Sequence, residues 1–107
     1  MAKRMLKRRV DAARKAIVDA LRVYKKLHPS ADIKVQRQNN VSLRIRIIDK
    51  DFKGMDLVDR DTALWKILEP LPDSVVSQIT MLLLLTPQET KRSFANVEFD
   101  YPVRSRL

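Results

Sequence analysis

The sequence contains no cysteine, and this absence excludes several classes of site. Without cysteine there is no disulfide framework, no thiolate metal site and no cysteine nucleophile. The single histidine, His28, also excludes centres built from several imidazoles, so zinc chemistry is not expected. Because a chain without cysteine suits a reducing compartment, we predict a cytoplasmic protein.

Glycine and long apolar runs are also scarce. The only glycine, Gly54, cannot by itself form a G-x-G-x-x-G motif or a P-loop, so a glycine-rich phosphate cradle is excluded. No apolar run approaches the roughly 20 residues that span a bilayer, and the N-terminus lacks the apolar centre of a secretory signal. With 107 residues, 45% of them apolar, we expect one α+β or α/β domain with a modest core.

Positive charge is in excess, and most of it lies at one end of the chain. The net charge is +9, and residues 1–28 hold ten Lys/Arg against two Asp, whereas residues 29–107 hold twelve against eleven Asp/Glu. Clustered cations are typical of proteins that bind polyanions. Nucleic acid is therefore the first partner expected, and an anionic membrane surface the second.

The basic segment also has a helical pattern. Its apolar residues recur at alternating spacings of four and three, which predicts one helix from about residue 4 to 27, ended by Pro29. We favour packing of this helix on a sheet, with coiled-coil dimerisation as the alternative, and we expect residues 1–9 to be a frayed or disordered arm. A transit peptide or membrane-surface helix has a similar pattern, but Asp11 and Asp19 argue against both.

Two strands and a turn follow. Residues 33–37 and 41–48 predict a hairpin that turns at Asn39 and Asn40. In the second strand the apolar residues share one face, and Arg44 and Arg46 share the other. With Lys34, these arginines form either a basic sheet surface or simply a solvated face of long cations.

The next segment changes from strand to helix at Gly54, and Leu57, Leu64 and Leu68 then recur at helical spacing. Arg60 lies early in this helix, where the helix dipole disfavours a cation. We expect it either to pair with Asp56 or to contact a phosphate.

The last third predicts a buried strand within residues 75–85, parallel to a neighbour, and a short helix from Thr86-Pro87-Gln88-Glu89 to about residue 95. Leu82 and Leu84 would then face away from Met81, Leu83 and Leu85, under another segment or at a subunit contact. Residues 96–107 alternate apolar and polar residues, which predicts an extended tail at a sheet edge or across an apolar sheet face.

Catalysis is not expected, although several aspartates are close in sequence. They are Asp49, Asp51, Asp56, Asp59 and Asp61. Turns and first helical turns are rich in aspartate for capping reasons, so this cluster has a structural explanation. On similar grounds His28 is interpreted as a helix end rather than a ligand, and Trp65 and Phe52 as core residues rather than stacking platforms for bases.

The order of these elements, together with certain residues, resembles the BolA-like family over residues 17–89. The matching residues are Phe52, Gly54, Leu57, Val58, Arg60, Leu64, Leu68 and the run Thr86-Pro87-Gln88-Glu89. The resemblance implies an α-β-β-α-β-α fold similar to the type II KH arrangement. It also implies one of two family roles, DNA-binding regulation or partnership with monothiol glutaredoxins in handling iron-sulfur clusters.

The sequence departs from the family pattern where cluster ligands are expected. Asp61 follows Arg60 where the family usually has histidine, and Gln78 stands where the family has a histidine that ligates the cluster. The hairpin loop, Arg37-Gln38-Asn39-Asn40, supplies only amides and one guanidinium. Amides are poor ligands for iron, so the usual form of cluster sharing is not expected. The G-x-x-G loop of RNA-clamping KH domains is also missing.

We therefore predict a single α+β domain with a small three-stranded mixed sheet and helices packed on one face. Residues 1–15 are a basic extension of the first helix, 16–95 the BolA-like domain and 96–107 the extended tail. The predicted function is non-enzymatic binding of DNA or RNA, with no cofactor and no metal. The contact residues are Lys3, Arg4, Lys7, Arg8, Arg9, Arg14 and Lys15, with Arg44, Arg46 and Arg60 as secondary contacts.

Two alternatives to this prediction belong to other classes. The first is a protein adaptor that docks a glutaredoxin-like partner through the helix after Gly54 and the tail. The second is a homodimer formed through the face of Leu82 and Leu84 or through the apolar stripe of the first helix.

Overall fold

The computed structural model describes residues 11–102, which alternate between short helices and three strands. The elements are α1 (Ala12–Leu27), β1 (Asp32–Asn39), β2 (Ser42–Ile48), α2 (Leu57–Leu68), α3 (Asp73–Val76), β3 (Ile79–Leu85) and α4 (Phe94–Asp100), with 3₁₀ turns at Lys50–Phe52 and Glu89–Lys91. The predicted basic arm, residues 1–9, and the end of the tail lie outside the described residues. None of the described helices is long and apolar enough to cross a membrane.

The three strands form one mixed sheet in the order β1-β2-β3. The β1-β2 hairpin is antiparallel and pairs Val35 with Ile45, whereas β3 runs parallel to β2 and pairs Leu82 with Ile45. The α+β class, the hairpin and the parallel last strand are thus confirmed. A short helix, α3, replaces the first residues of the strand predicted from residue 75.

The core lies between the sheet and the helices α1 and α2. Ile17 and Leu21 of α1 and Leu64 and Leu68 of α2 are at most 1% exposed. They belong to one cluster with the apolar face of β2, which consists of Leu43, Ile45 and Ile47. Packing of the first helix on the sheet, the favoured interpretation, is what the structure shows. Phe52 is buried and Trp65 packs against the same cluster, as predicted.

Gly54 links this core to the turn before α2. Its φ is +83°, a left-handed conformation that glycine adopts without the steric cost of a Cβ. Asp56 then begins α2, because its side chain accepts a hydrogen bond from the amide of Asp59 at 2.8 Å. This turn and cap place the start of α2 where the sequence predicted it.

The opposite face of the sheet is covered by α4, so helices pack on both faces and not on one. The tail was predicted to be extended, but residues 94–100 are helical. The side chain of Ser93 accepts a hydrogen bond from the amide of Asn96 at 3.1 Å and so caps the helix. Phe99 is fully buried against the sheet, whereas Val97 and Tyr101, which alternate with it, are 56% and 77% exposed. The alternation of apolar residues therefore does not reflect a strand.

The faces of β3 are the reverse of those predicted. Leu82 and Leu84 are in register with Ile45 and Ile47, and Leu84 is part of the core at 5% exposure. The parallel register places Met81 and Leu83 beside Arg44 and Arg46 on the face that α4 covers. Because Leu84 is already buried and Leu82 packs against the core, their face is not free for the predicted subunit contact.

Candidate nucleic-acid interface

One side of α1 presents cations to solvent while its other side packs on the sheet. The helix contains Arg14, Lys15, Arg22, Lys25 and Lys26, all exposed, and a single carboxylate, Asp19. Asp19 pairs with Lys15 at 2.8 Å and with Arg22 at 3.6 Å, and the hydrogen bond from Lys15 lowers the pKa of Asp19. One aspartate therefore faces five cations, and the exposed side of the helix remains strongly positive.

A groove of about 610 Å³ runs between this side of α1 and strand β1. Arg14, Arg22, Lys25 and Lys34 line it, together with one acidic residue and an apolar floor that includes Val18, Leu21 and Ile33. The Nε of Arg14 donates to the carbonyl of Val35 at 3.0 Å, which fixes the guanidinium at the rim. We call this feature the α1–β1 groove. Such a groove suits a nucleic-acid backbone, because its cations can contact the phosphates while its apolar residues contact the less polar sugars.

Of the cations that line this groove, only Arg14 was predicted as a contact residue, and Arg22 and Lys25 were missed. A signal for both missed residues was present, because residues 14, 18, 22 and 25 follow the three-to-four spacing that puts side chains on one side of a helix. Lys34 was predicted on the sheet face of Arg44 and Arg46. The ammonium of Lys34 is 3.4 Å from Asp100 and 5.9 Å from the ring centroid of Phe99, so its charge lies with Arg44 and Arg46 on the face that α4 covers and not in the groove.

Arg44 and Arg46 do not form a basic surface, and they do not form a solvated face either. They are 3% and 9% exposed beneath α4. Arg44 pairs with Glu98 at 2.6 Å, and Arg46 pairs with Asp100 at 2.9 Å. Both guanidinium groups also lie over the ring of Phe99, at 5.1 Å and 4.8 Å from its centroid. The hydrogen bond from Arg46 lowers the pKa of Asp100. Their charge is thus neutralised inside the protein.

Arg60 is also a structural residue in this conformation. It is 4% exposed, and its two terminal nitrogens contact the carboxylate of Glu89 at 2.6 Å and 3.2 Å. Its Nη1 and Nε also donate to the carbonyls of Leu84 and Met55, each at 3.1 Å. Arg60 therefore pairs with Glu89 and not with Asp56, and its charge is neutralised inside the protein. The hydrogen bond from Arg60 is the main reason that the pKa of Glu89 falls to about 2.

The ten predicted contact residues thus fall into three groups. Lys3, Arg4, Lys7, Arg8 and Arg9 lie outside the described residues, Arg14 and Lys15 are exposed on α1, and Arg44, Arg46 and Arg60 are buried against carboxylates. The described residues 11–102 contain fifteen Lys/Arg and thirteen Asp/Glu, whereas residues 1–10 contain five Lys/Arg and residues 103–107 contain two, with no acidic residue in either end. Most of the net charge therefore belongs to the two ends of the chain.

A second surface of a different character lies at the start of α2. Leu57 and Val58 are 71% and 72% exposed, and they line a depression of about 540 Å³ beside β3, the other edge strand of the sheet. Leu82–Leu85 and Ser93 also line it. We call this feature the α2–β3 groove. Exposed aliphatic side chains beside a strand edge are typical of protein-docking surfaces.

Gln78, which stands where the family resemblance places a ligand histidine, has both ends of its amide engaged. Its Oε1 accepts from Arg37 at 3.1 Å, and its Nε2 donates to the carbonyl of Ser74 at 3.0 Å. The residue immediately precedes β3, as the resemblance implied.

Comparison with known proteins gives one likeness of fold. No protein-family model matches the chain, and no curated protein matches it. A solved structure described as BolA1 from Arabidopsis thaliana is 18% identical over 70% of this chain and 92% of that chain, with a TM-score of 0.47. This likeness carries no inference about function. The order of elements, α-β-β-α-β-α with the short α3 inserted, and the mixed three-stranded sheet are those that the resemblance to the BolA-like family implied.

Proposed function

We propose that this protein is a non-enzymatic domain that binds nucleic acid through its basic N-terminal segment and the exposed side of α1. The observation that carries the proposal is the arrangement of charge on α1, where five exposed cations face one aspartate. In the sequence, five further Lys/Arg precede this helix within residues 1–10. Such a one-sided concentration of cations neutralises the charge of a phosphate backbone.

The α1–β1 groove supplies the place where a backbone would lie. Arg14, Arg22 and Lys25 stand on the helix side, so phosphates along the groove would meet the cations of α1. Phosphate contacts position a nucleic acid without reading its sequence. We therefore expect binding with little base specificity and with an affinity that falls steeply as salt rises.

The test compares variants that remove the same charge from two surfaces. One variant carries Arg22→Gln and Lys26→Gln on α1, and its control carries Lys66→Gln and Lys91→Gln, two exposed lysines on other elements. Fluorescence anisotropy with labelled duplex and single-stranded oligonucleotides, across a salt series, gives the affinity of each protein. A third protein lacks residues 1–10, so that the described helix is left intact.

We expect the α1 variant and the truncated protein to bind more weakly and to lose part of the salt dependence. Each lost phosphate contact lowers the slope of log affinity against log salt by about 0.9 for duplex DNA. The control variant should keep the slope of the unmodified protein. Equal affinity and equal slope in all four proteins would disprove the proposal.

A protein-docking role is the second candidate, because the α2–β3 groove exposes Leu57 and Val58 to solvent. The resemblance to BolA-like proteins makes a monothiol glutaredoxin the partner to try. Calorimetric titration would compare Leu57→Ser/Val58→Ser with Val23→Ser/Leu27→Ser, which alters two other exposed aliphatic residues, 57% and 74% exposed.

Loss of glutaredoxin binding in the first pair only would support this role, and absence of binding by the unmodified protein would end it. An iron-linked absorbance band in the mixture would show that ligands other than the usual histidine hold a cluster.

A further inference from the structure

Three groups able to ligate a metal converge where α1 ends. The Nδ1 of His28 lies 2.7 Å from Oδ2 of Asp51 and 3.1 Å from Oδ2 of Asp49. All three ligand atoms are within 4.8 Å of one another. The residues come from the end of α1, the end of β2 and the 3₁₀ turn that follows, so the fold and not the local sequence brings them together.

Asp49 is held rigidly before any ion arrives. Its side chain is fully buried, and its backbone amide donates to the carbonyl of Leu85 at 2.9 Å, beyond the end of β2. Its Oδ1 accepts from the amide of Asp51 at 2.9 Å, and its Oδ2 accepts from the hydroxyl of Tyr24.

His28 is fixed by the same framework. Its amide closes α1 by donating to the carbonyl of Tyr24 at 2.9 Å, and its ring stacks on the ring of Tyr24 with centroids 4.2 Å apart. The predicted role of His28 as a helix end is thus confirmed, but the ring also points Nδ1 at two carboxylates. A ligand group whose partners fix its orientation binds metal more tightly than a free one.

The cluster has more hydrogen-bond acceptors than a single N–H of the His28 ring can satisfy. Nδ1 carries at most one hydrogen, while two carboxylate oxygens lie within hydrogen-bonding distance of it. A divalent cation in place of that hydrogen would contact Nδ1 and both carboxylate oxygens. Ligand atoms about 2.1 Å from a metal are about 3.0 Å apart at right angles and about 3.4 Å apart at tetrahedral angles. The distances from Nδ1 to the two carboxylates, 3.1 Å and 2.7 Å, would therefore widen by a few tenths of an ångström when a metal binds.

We propose that His28, Asp49 and Asp51 form a binding site for a first-row divalent metal ion. One imidazole nitrogen with two carboxylate oxygens suits Zn²⁺, Co²⁺ or Mn²⁺ better than Ca²⁺ or Mg²⁺, which favour oxygen ligands alone. The side chains of His28 and Asp51 are 28% and 50% exposed, so the site opens to water, which would complete the coordination shell. The site does not depend on nucleic-acid binding and is tested without it.

The composition of the chain makes the test direct. Because His28 is the only histidine and there is no cysteine, every imidazole signal in a tag-free protein comes from this site. Titration of the full chain with Zn²⁺ is followed by NMR of the ring protons and by calorimetry. We expect the His28 signals to shift in step with the heat and both to saturate at one ion per chain.

Variants then test His28 and Asp51 directly, and test Asp49 through the hydroxyl of Tyr24 that donates to it, so that the buried Asp49 itself is not replaced. We expect His28→Gln to abolish binding, Tyr24→Phe to weaken it about tenfold or more, and Asp51→Asn to weaken it at least as much. Asp61→Asn, which alters an exposed aspartate elsewhere, should keep the affinity of the unmodified protein. Circular dichroism confirms that each variant is folded.

The proposal fails if the ring signals of His28 do not move at millimolar Zn²⁺. It also fails if His28→Gln binds Zn²⁺ as tightly as the unmodified protein, or if Asp61→Asn loses as much affinity as Asp51→Asn.

Discussion

At the scale of single residues, the arginines that stand out in the sequence stabilise the fold. Arg44, Arg46 and Arg60 are each less than a tenth exposed and paired with a carboxylate. A buried guanidinium requires such a partner, since an unpaired charge in the interior is costly. Their partners, Glu98, Asp100 and Glu89, lie 29 to 54 residues further along the chain. Local sequence therefore gave no sign of the pairing.

The pairing of Arg60 with Glu89 predicts a pH dependence of stability. The pKa of Glu89 falls from its ordinary value of 4.5 to about 2 in the folded protein. A carboxylate with a lowered folded pKa stabilises the fold above its unfolded pKa, and the contribution is lost as the pH falls through the folded value. Glu89→Gln should thus be less stable at pH 6 by about 1 kcal/mol, a modest value because the side chain of Glu89 is 44% exposed.

Urea denaturation of both proteins between pH 6 and pH 2 measures this difference. We expect the difference to shrink from about pH 4.5 downwards and to be largely lost by pH 2. Glutamine keeps the capping interaction with Thr86 that Glu89 makes, so the comparison isolates the charge. Glu69→Gln, an exposed control, should change stability by less than about 0.5 kcal/mol. A difference between Glu89→Gln and the unmodified protein that stays constant across the range would contradict the assignment.

At the scale of elements, α4 is the part of the fold that differs most from the prediction from sequence. It converts the second sheet face from a surface into an interface, with the guanidinium groups of Arg44 and Arg46 5.1 Å and 4.8 Å from the ring centroid of Phe99. A cation over the face of an aromatic ring is attracted to the ring, and this attraction is stronger where water is excluded. A seven-residue helix is too short to be stable alone, so α4 depends on these contacts.

Phe99→Ala should therefore destabilise the protein by about 3 kcal/mol, because it removes a fully buried ring and the partner of two buried cations. Phe94→Ala removes an equal side chain from the same helix, but that side chain is 78% exposed, and we expect a change below about 0.5 kcal/mol. Chemical denaturation of both variants gives the free energies of unfolding. Equal losses would show that α4 does not bury Phe99 as described.

The elements that could be predicted are those whose signal is local. Asn39 and Asn40 at the turn, the alternation along β2, and Gly54 before α2 each determine structure within a few residues. The faces of β3 could not be predicted, because in a continuous run of apolar residues no alternation with polar residues shows which side chains face the core. Likewise, the helical state of residues 94–100 depends on the cap at Ser93 and on distant arginines, while the pattern of Val97, Phe99 and Tyr101 favoured a strand.

The two candidate sites also differ in whether the sequence alone could predict them. The basic side of α1 was predictable from Arg14 and Lys15, since charge and helical spacing are properties of the sequence itself. The cluster of His28, Asp49 and Asp51 was not, because its members are 23 residues apart at the widest and meet only through the packing of α1 on β2. Each residue alone has an ordinary role as a cap or turn residue.

At the scale of the whole molecule, most of the net charge comes from residues outside the described range 11–102. The described domain has a net charge of +2, from fifteen cations and thirteen carboxylates, while the seven Lys/Arg of residues 1–10 and 103–107 supply the rest of the +9. Most of the positive charge that would attract a polyanion thus belongs to the two ends of the sequence, and α1 adds five exposed cations to it. Substitutions in the domain core and substitutions in the basic ends should accordingly affect different properties, stability in the first case and affinity in the second.

The central position of β2 has a consequence for how the molecule opens. Its amides are hydrogen-bonded on both sides, to β1 and to β3, and its two faces are covered by α1 with α2 and by α4. Hydrogen exchange at Leu43, Ile45 and Ile47 should therefore require global unfolding, whereas amides of α4 exchange through local opening. Exchange measured by NMR should be slowest in β2, with a free energy equal to that from urea denaturation. The amides of one seven-residue strand would thus report the stability of the entire domain.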